Sequence, residues 1–300
     1  MNNEVLQELK NILGEENILF NEPMSRHLSM EVGGPADYFA TPENAEAIAR
    51  VVKLLNEKGI PYYVIGNGTN VIVKDEGFRG VIVSILEKQA RISIEDNVIT
   101  AEAGAMLKDL ADAACEASLT GLEFASGIPG SLGGAIIMNA GAYDGEMKDV
   151  VCSVTAVDRT GKIVTFSGEK AEFSYRHSIF SDGDYVVTKA VLELKKGDKP
   201  VIRARMDDLN KRRADKQPLE HPSCGSTFKR PEGYYVGQLV MDCGLAGARI
   251  GGVSVSTKHC GFIVNDKGGT SSEVIELIEH VRSVVNEKYG ILLECEVKVL

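Results

Sequence analysis

The chain has no run of about 18 or more apolar residues, which excludes an ordinary membrane-spanning helix. It has no C-x-x-C pair either. Its six cysteines (Cys115, Cys152, Cys224, Cys243, Cys260 and Cys295) stand far apart, which argues against a zinc site or a disulfide framework. Reduced thiols in a cytoplasmic protein are expected instead. The five histidines are also scattered and form no H-E-x-x-H pair, so no metal site is expected. Positive charge is in deficit, 33 basic against 43 acidic residues, for a net charge of −10. That is the opposite of the broad basic surface used for nucleic acids or anionic membranes. A small anionic ligand needs only a local cationic pocket and stays open. The opening residues MNNEVLQELKNILG lack the basic start and continuous apolar core of a signal peptide. Val5, Leu6, Leu9, Ile12 and Leu13 recur there at helical spacing.

Glycine is abundant, at 31 of 300 residues, and much of it is clustered. A chain of this length predicts two domains more readily than one. Thr41-Pro42 reads as a helix N-cap followed by proline, with an apolar face over Ala45, Ile48, Ala49, Val52 and Leu55 and a stop at Gly59. Short β-branched runs at 62–65, 71–73 and 81–85 read as strands and complete a first α/β unit over residues 20–85. Strands near 91–94 and 98–102, a helix near 106–118, a hairpin over 151–166 and a strand at 185–194 follow. The charged stretch KKGDKP (195–200) is the best linker candidate. Beyond it lie a basic helix near 201–214 and a strong amphipathic helix. Thr270 and Glu273 have capping-box spacing at its start, and Gly290 closes it. A final strand is expected over Ile291–Leu300.

Two glycine-rich segments carry the first functional hint. Gly66-Asn67-Gly68-Thr69-Asn70 lies between two strands, where glycines let backbone amides approach a phosphate. Val71 occupies the place of a third glycine in G-x-G-x-x-G, and no P-loop lysine is present. The segment GIPGSLGGAIIMNAGAYDG (127–145) has four glycines in its first eight residues. That density reads as too permissive for a helix and too dense for a strand. One such loop alone is a tight turn; two make a large nucleotide cofactor the better reading.

Other candidates are polar. Tyr175 and Arg176 sit in SYRHS, and arginine's planar fork suits a carboxylate or phosphate. The run 203–216 is a solvated basic face by default, with Arg213 and Lys216 the best contributors to an anion pocket. Glu294 and Glu296, two apart on the expected strand, would face one side. In PSCGSTFKRP (222–231) both Cys224 and Ser226 suggest a nucleophile. However, the stretch does not match G-x-S-x-G, and no triad partner is placed by sequence. Proton transfer by a hydroxyl fits better, beside a neighbour such as Lys229.

Taken in order, VGGPADYF (32–39), GNGTN (66–70), GIPGSLGGAIIMNAGAY (127–143), SYRHS (174–178), QPLEHPSCGSTFKRPEG (217–233), GLAGARIGG (244–252), KHCGFIVN (258–265) and LECEVKVL (293–300) resemble the UDP-N-acetylenolpyruvoylglucosamine reductase family. The absence of an extended insertion near the end resembles its shorter, second subtype. The resemblance implies an α+β protein with a vanillyl-alcohol-oxidase-type FAD-binding fold. Two FAD subdomains are expected over residues 1–85 and 86–198, and a substrate domain over 199–300. It implies bound FAD, contacted by Gly66, Asn67, Gly68, Thr69, Asn70, Gly104, Gly127, Ile128, Pro129, Gly130, Ser131, Gly133, Gly134, Asn139, Ala140 and Gly141. NADPH is the implied hydride donor, in a ping-pong reaction that carries hydride to C3 of an enolpyruvyl ether. Ser226 maps onto the proton donor to C2. Arg176 and Glu296 map onto the groups that stabilise the carboxylate, Glu296 only if it donates a proton. Tyr175, Arg213, Lys216, Lys229 and His259 are implied substrate contacts. A monomer or weak dimer, with no nucleic-acid partner, is expected. Asp144 and Cys295 depart from the family's usual glycine and proline.

Two other readings compete. A related FAD-dependent alcohol or hydroxy-acid oxidase would share the cofactor loops without needing Ser226, Arg176 and Glu296. A silent nucleotide-sugar binding protein would keep the anion pocket and lose the flavin loops or the proton donor.

Overall fold

The structure, a computed structural model, describes residues 3–300; residues 1 and 2, counted within the first expected domain, lie outside them. The chain is α+β and divides into two compact units. One comprises the chain up to Phe20, Tyr38–Asn67 and Arg79–Arg212; the other comprises Asn21–Asp37, Gly68–Phe78 and Arg213–Leu300. Among the described residues no helix is long and apolar enough to cross a membrane, and no His/Cys/Asp/Glu group could hold a metal ion.

The first unit contains two sheets. Strands Ile18–Pro23, Pro35–Ala40, Phe78–Ser84 and Tyr62–Ile65 lie side by side in that order, the last two parallel; residues 21–23, 35–37 and 78 of these strands are counted with the second unit. Helix Asn3–Leu13 places Val5, Leu9 and Leu13 against Val51, Leu54 and Leu55 of helix Ala45–Glu57 and against Val81 and Val83 of the sheet. Periodic apolar spacing thus becomes one buried layer. The helix Ala45–Glu57 is capped by Asn44, whose Oδ1 accepts from the Ala47 amide at 2.8 Å. Thr41 is not the cap, because its amide and hydroxyl both donate to the Asn17 carbonyl.

The second sheet is antiparallel, in the order Ile163–Ser167, Val151–Asp158, Tyr185–Glu193, Val98–Glu102, Ile92–Glu95. Helix Leu107–Glu116 and the short helix Leu132–Ile137 contribute Leu107, Leu110, Leu132 and Ile136 to its core. Helix Lys199–Lys216 adds Ile202 and Met206 to the same core. Its burial there puts the division between units at 212/213, inside the helix, and not at the charged stretch 195–200. Lys195 and Lys196 of that stretch pair with Thr120 and Leu119. The glycine-dense segment contains a helix after all. Gly133 and Gly134 are held helical because the Leu132 and Gly133 amides donate to the Ala105 and Ala103 carbonyls, each at 2.8 Å. A β-carbon on Gly133 would stand 3.0 Å from that of Ala103. Tertiary contact therefore overrides intrinsic propensity.

Beyond it, Gly141–Ala142 and Gly145–Glu146 form a hairpin whose two linking residues, Tyr143 and Asp144, have φ of 49° and 69°. Two successive positive φ values are the demand of a type I′ turn, which explains why glycine suits position 144. Asp144→Gly is expected to raise stability by about 0.5–1 kcal/mol in chemical denaturation, by removing a left-handed non-glycine residue. A lower midpoint in the variant would contradict that account.

The second unit is built on an antiparallel sheet in the order Ser223–Ser226, Phe262–Asn265, Val253–Val255, Arg249–Ile250. Helix Ser271–Tyr289 buries Val274, Leu277, Ile278, Val281 and Val285 in a core that also takes Met30, Val32 and Ile72 from the two early segments. Its N-terminus carries the expected capping box, Thr270 with Glu273, and its C-cap is Gly290 at φ 67°. Asp75 adds a second cap by accepting from the Ser271 and Ser272 amides, each at 3.0 Å. The residues after Gly290 do not form one strand. Cys295 makes an isolated bridge with Phe228, and only Lys298–Val299 pair as a strand, parallel to Val71–Ile72. The chain changes partners between these contacts, so neither ladder extends.

Candidate active site

In the first unit, packing brings the two glycine-rich loops together. The Asn67 Nδ2 donates to the Pro129 carbonyl at 2.8 Å, and the Ser131 hydroxyl fills the space that a Gly66 side chain would take. Residues 130–133 dock on 103–107: the Leu107 amide donates to the Gly130 carbonyl at 3.0 Å, and Met106 bridges Ser131. Gly134 differs from its neighbours. It is exposed, and a β-carbon there would find nothing nearer than the Ser131 hydroxyl at 3.8 Å. Glycine inside a helix costs about 1 kcal/mol relative to alanine, and no packing among the described residues requires it here. Open space beside a bare backbone, flanked by two docked glycine loops, fits a large ligand that reaches main-chain donors.

Several expected cofactor contacts turn inward. A β-carbon on Gly104 would collide with the Leu86 and Gln89 carbonyls, and its amide donates to Gln89 at 2.8 Å. Asn139 is wholly buried. Its Nδ2 donates to Glu146 at 2.5 Å and to the Ser174 carbonyl at 3.0 Å, and its Oδ1 accepts from the Lys148 amide at 2.9 Å. Ile128 and Ala140 are half-buried against the unit's core. Asn139 therefore ties the glycine-rich segment to the turn that carries Tyr175 and Arg176. In that turn Ser174 and His177 exchange main-chain hydrogen bonds at 3.0 and 3.3 Å, and Arg176 has φ of 55°. A non-glycine residue at positive φ is uncommon and concentrates at functional sites. Arg176 is half-buried, with Nη2 3.4 Å from the Gly141 carbonyl and its guanidinium 5.3 Å from the exposed Tyr175 ring.

In the second unit, a bulge separates the two nucleophile candidates. Ser223 pairs with Val264 and Ser226 with Phe262, so three steps on one strand oppose two on the other. Gly225 takes φ of 72°, and nothing lies within 4 Å of where its β-carbon would be. Its conformation, not lack of space, makes glycine the fitting residue. Without the extra residue, positions 224 and 226 would share a face. With it, Cys224 points into the core at 5% exposure and Ser226 is exposed. Burial pushes the Cys224 thiol up to about 12, and its Sγ donates to the Val71 carbonyl at 3.6 Å. A thiol so held is not a nucleophile near neutral pH. Cys224→Ser is expected to retain most steady-state turnover; a folded but inactive variant would restore the thiol to the mechanism.

Thr227, which the sequence reasoning passes over, links Ser226 to Glu296. The Glu296 amide donates to the Thr227 carbonyl at 2.9 Å, the Lys229 amide to the Glu294 carbonyl at 2.9 Å, and Phe228 bridges Cys295. Glu296 is half-buried and Glu294 exposed, so the two glutamates do not share one environment. Lys229 Nζ sits 2.5 Å from Glu294 Oε1. Cys295, in place of proline, donates through Sγ to Thr227 and Val297 carbonyls at 3.5 and 3.3 Å. His259 is half-buried, its Nδ1 accepts from the Gly261 amide at 3.1 Å, and burial lowers its pKa, keeping the ring neutral. It shapes the turn before Phe262. Arg213 is half-buried at the end of its helix and Lys216 exposed, while Arg205 and Arg212 pair with Asp208 on the solvated face. Sequence reasoning also passes over Arg230, which lies 3.9 Å over the exposed Tyr235 ring.

Residues 36–167 match the family described as FAD binding domain, and residues 217–300 match UDP-N-acetylenolpyruvoylglucosamine reductase, C-terminal domain. The FAD-binding match covers both glycine loops, and the docked loops and bare Gly134 fit that cofactor. Wild-type Phl p 4.0202, a glucose dehydrogenase, shares the fold with a TM-score of 0.53 at 16% identity, covering 65% of this chain and 44% of that one. The first unit thus defines a flavoprotein, with an FAD-binding fold of the vanillyl-alcohol-oxidase type. The chain is 47% identical over 296 residues to the UDP-N-acetylenolpyruvoylglucosamine reductase of Caldanaerobacter subterraneus subsp. tengcongensis, covering 99% of this chain and 98% of that protein. The crystal structure of the corresponding reductase from Thermus caldophilus superposes with a TM-score of 0.80 at 33% identity, covering 94% and 97% of the two chains. The chain belongs to the UDP-N-acetylenolpyruvoylglucosamine reductase family.

Proposed function

We propose that the protein reduces the enolpyruvyl ether of UDP-N-acetylglucosamine enolpyruvate to UDP-N-acetylmuramate, using NADPH, in peptidoglycan precursor synthesis. Bound FAD supplies the hydride. The chain's own residues meet the remaining demands. Hydride addition to an unsaturated carboxylate puts more negative charge on an anionic group, which preorganised donors must stabilise. Arg176, on a turn fixed by Asn139, offers a planar two-pronged donor. Glu296 serves the same carboxylate as a hydrogen-bond donor when protonated. Ser226 gives its proton to C2, where a carbanion-like centre is basic enough to take it from an alcohol. The observation that carries this reading is the Thr227–Glu296 hydrogen bond of 2.9 Å, which keeps the exposed hydroxyl of Ser226 next to the segment bearing Glu296. Free thiols, which all six cysteines retain, persist in the cytoplasm, where we place the reaction. Through its product the enzyme contributes to cell shape and division.

The test is optical. Purified protein is expected to be yellow, to bleach with NADPH in the absence of oxygen, and to regain colour when the enolpyruvyl nucleotide is added. Colourless protein that cannot be reconstituted with FAD would remove the proposal. Recovery of colour with a simple alcohol or hydroxy acid, and not with the enolpyruvyl nucleotide, would favour an oxidase.

A further inference from the structure

We propose that Asn70 is a positioning residue for Glu296 and not a ligand of the cofactor. The inference rests on the reaction proposed above, in which Glu296 serves the substrate carboxylate. Asn70 ends the glycine loop that begins at Gly66, so its place in the sequence groups it with the cofactor contacts. Its side chain goes elsewhere. The Asn70 Nδ2 donates to the main-chain carbonyl of Glu296 at 3.2 Å, and the Asn70 carbonyl accepts from the Lys298 amide at 3.0 Å. On the other side of the same residue, the Glu296 amide donates to the Thr227 carbonyl.

Glu296 is therefore tied at its N–H to the neighbour of Ser226 and at its C=O to Asn70. This second tie matters because no regular ladder runs through the position: the bridge at Cys295 ends before it, and pairing with Val71–Ile72 resumes at Lys298. A carboxamide is suited to the place because it presents a donor to a carbonyl; a carboxylate of the same shape would present an acceptor. The start of the Asn70 segment is itself fixed. Gly68 has φ of 60°, any side chain there would meet the main chain of His27 and Leu28, and the Ser29 amide donates to the Gly68 carbonyl at 3.0 Å. A rigid loop thus reaches across to set the backbone of a residue 226 positions later.

The variants are Asn70→Ala and the near-isosteric Asn70→Asp, prepared as holoenzymes and followed by anaerobic stopped flow. Flavin content and the rate of bleaching by NADPH are expected to stay within about 2-fold of wild type. Return of colour with the enolpyruvyl nucleotide is expected to slow by about 10- to 100-fold, as for loss of a supporting hydrogen bond behind a reacting group. Introduced into Glu296→Gln, Asn70→Ala is expected to slow that step by less than about 3-fold more, since it acts through the group already removed. Lost flavin or slow bleaching in both variants would make Asn70 a cofactor ligand and overturn the inference. Wild-type colour return, or a fully additive loss in the double variant, would overturn it as well. If Asn70→Ala does not fold, Asn70→Asp alone and on the Glu296→Gln background decides by the same readouts. Failure of the proposed function itself shows separately, as wild-type protein that does not bleach and recover.

Discussion

Ser226→Ala holoenzyme is expected to bleach with NADPH at the wild-type rate and to turn over roughly 10²–10⁴ times more slowly, the usual contribution of one placed acid. The separation of the two half-reactions is the informative part. Ser226 stands in the second unit on a strand whose fold does not depend on its hydroxyl: the pairing with Phe262 is main chain to main chain. Removing one exposed oxygen should therefore leave stability and flavin content intact. Equal slowing of both half-reactions would point to a damaged cofactor site. Turnover near the wild-type rate would show that C2 takes its proton from another group.

Gly134→Val should produce the second large effect, with the opposite signature. Valine suits a helix interior better than glycine does, so folding should hold or improve slightly. The added side chain would enter the open space beside the two docked loops, and flavin affinity is expected to fall by about 10-fold or more, since bulk at a bare-backbone contact blocks close approach. Flavin titration of the purified apoprotein, with thermal melting as the control, checks both parts. Gly133→Val is the contrast: its side chain would press on Ala103 from a buried position, and loss of folded protein is expected there. A Gly134→Val protein that binds flavin as wild type does would show that this space belongs to something else.

The parts of this fold that were legible in the sequence are those whose causes are local. Thr270, Glu273 and Gly290 mark the last helix because capping depends on residues three or four positions apart. The helix at 132–137 was hidden because the partners of its first amides, Ala103 and Ala105, lie about thirty residues earlier and nothing in the glycine run names them. The opposed directions of Cys224 and Ser226 depend on a bulge, and a bulge is set by the register against Phe262 and Val264, which one strand's sequence does not contain. Arg176, Ser226 and Glu296 were not separable from ordinary surface residues by spacing. The ordered motifs of the family single them out, and the positive φ of Arg176 and the main-chain tie of Glu296 add physical reasons for attention that spacing cannot supply. Assignment of Asn70 to the cofactor followed from its place in a loop, whereas its hydrogen bond follows from a contact made across the chain.

The second unit is assembled from three separate stretches of chain, and that has a consequence for its synthesis. Residues 21–37 and 68–78 leave the ribosome early, carrying Met30, Val32 and Ile72, which are almost fully buried in the finished protein. Their partners begin at Arg213, 213 − 78 = 135 residues later. At roughly 5–20 residues per second, these apolar side chains wait about 7–27 seconds for a core to enter. The first unit is completed earlier, because its last segment, ending at Arg212, precedes the large final stretch of the second. The nascent chain thus offers a holdase chaperone a defined target and a defined interval, which begins to close when the segment from Arg213 onward emerges.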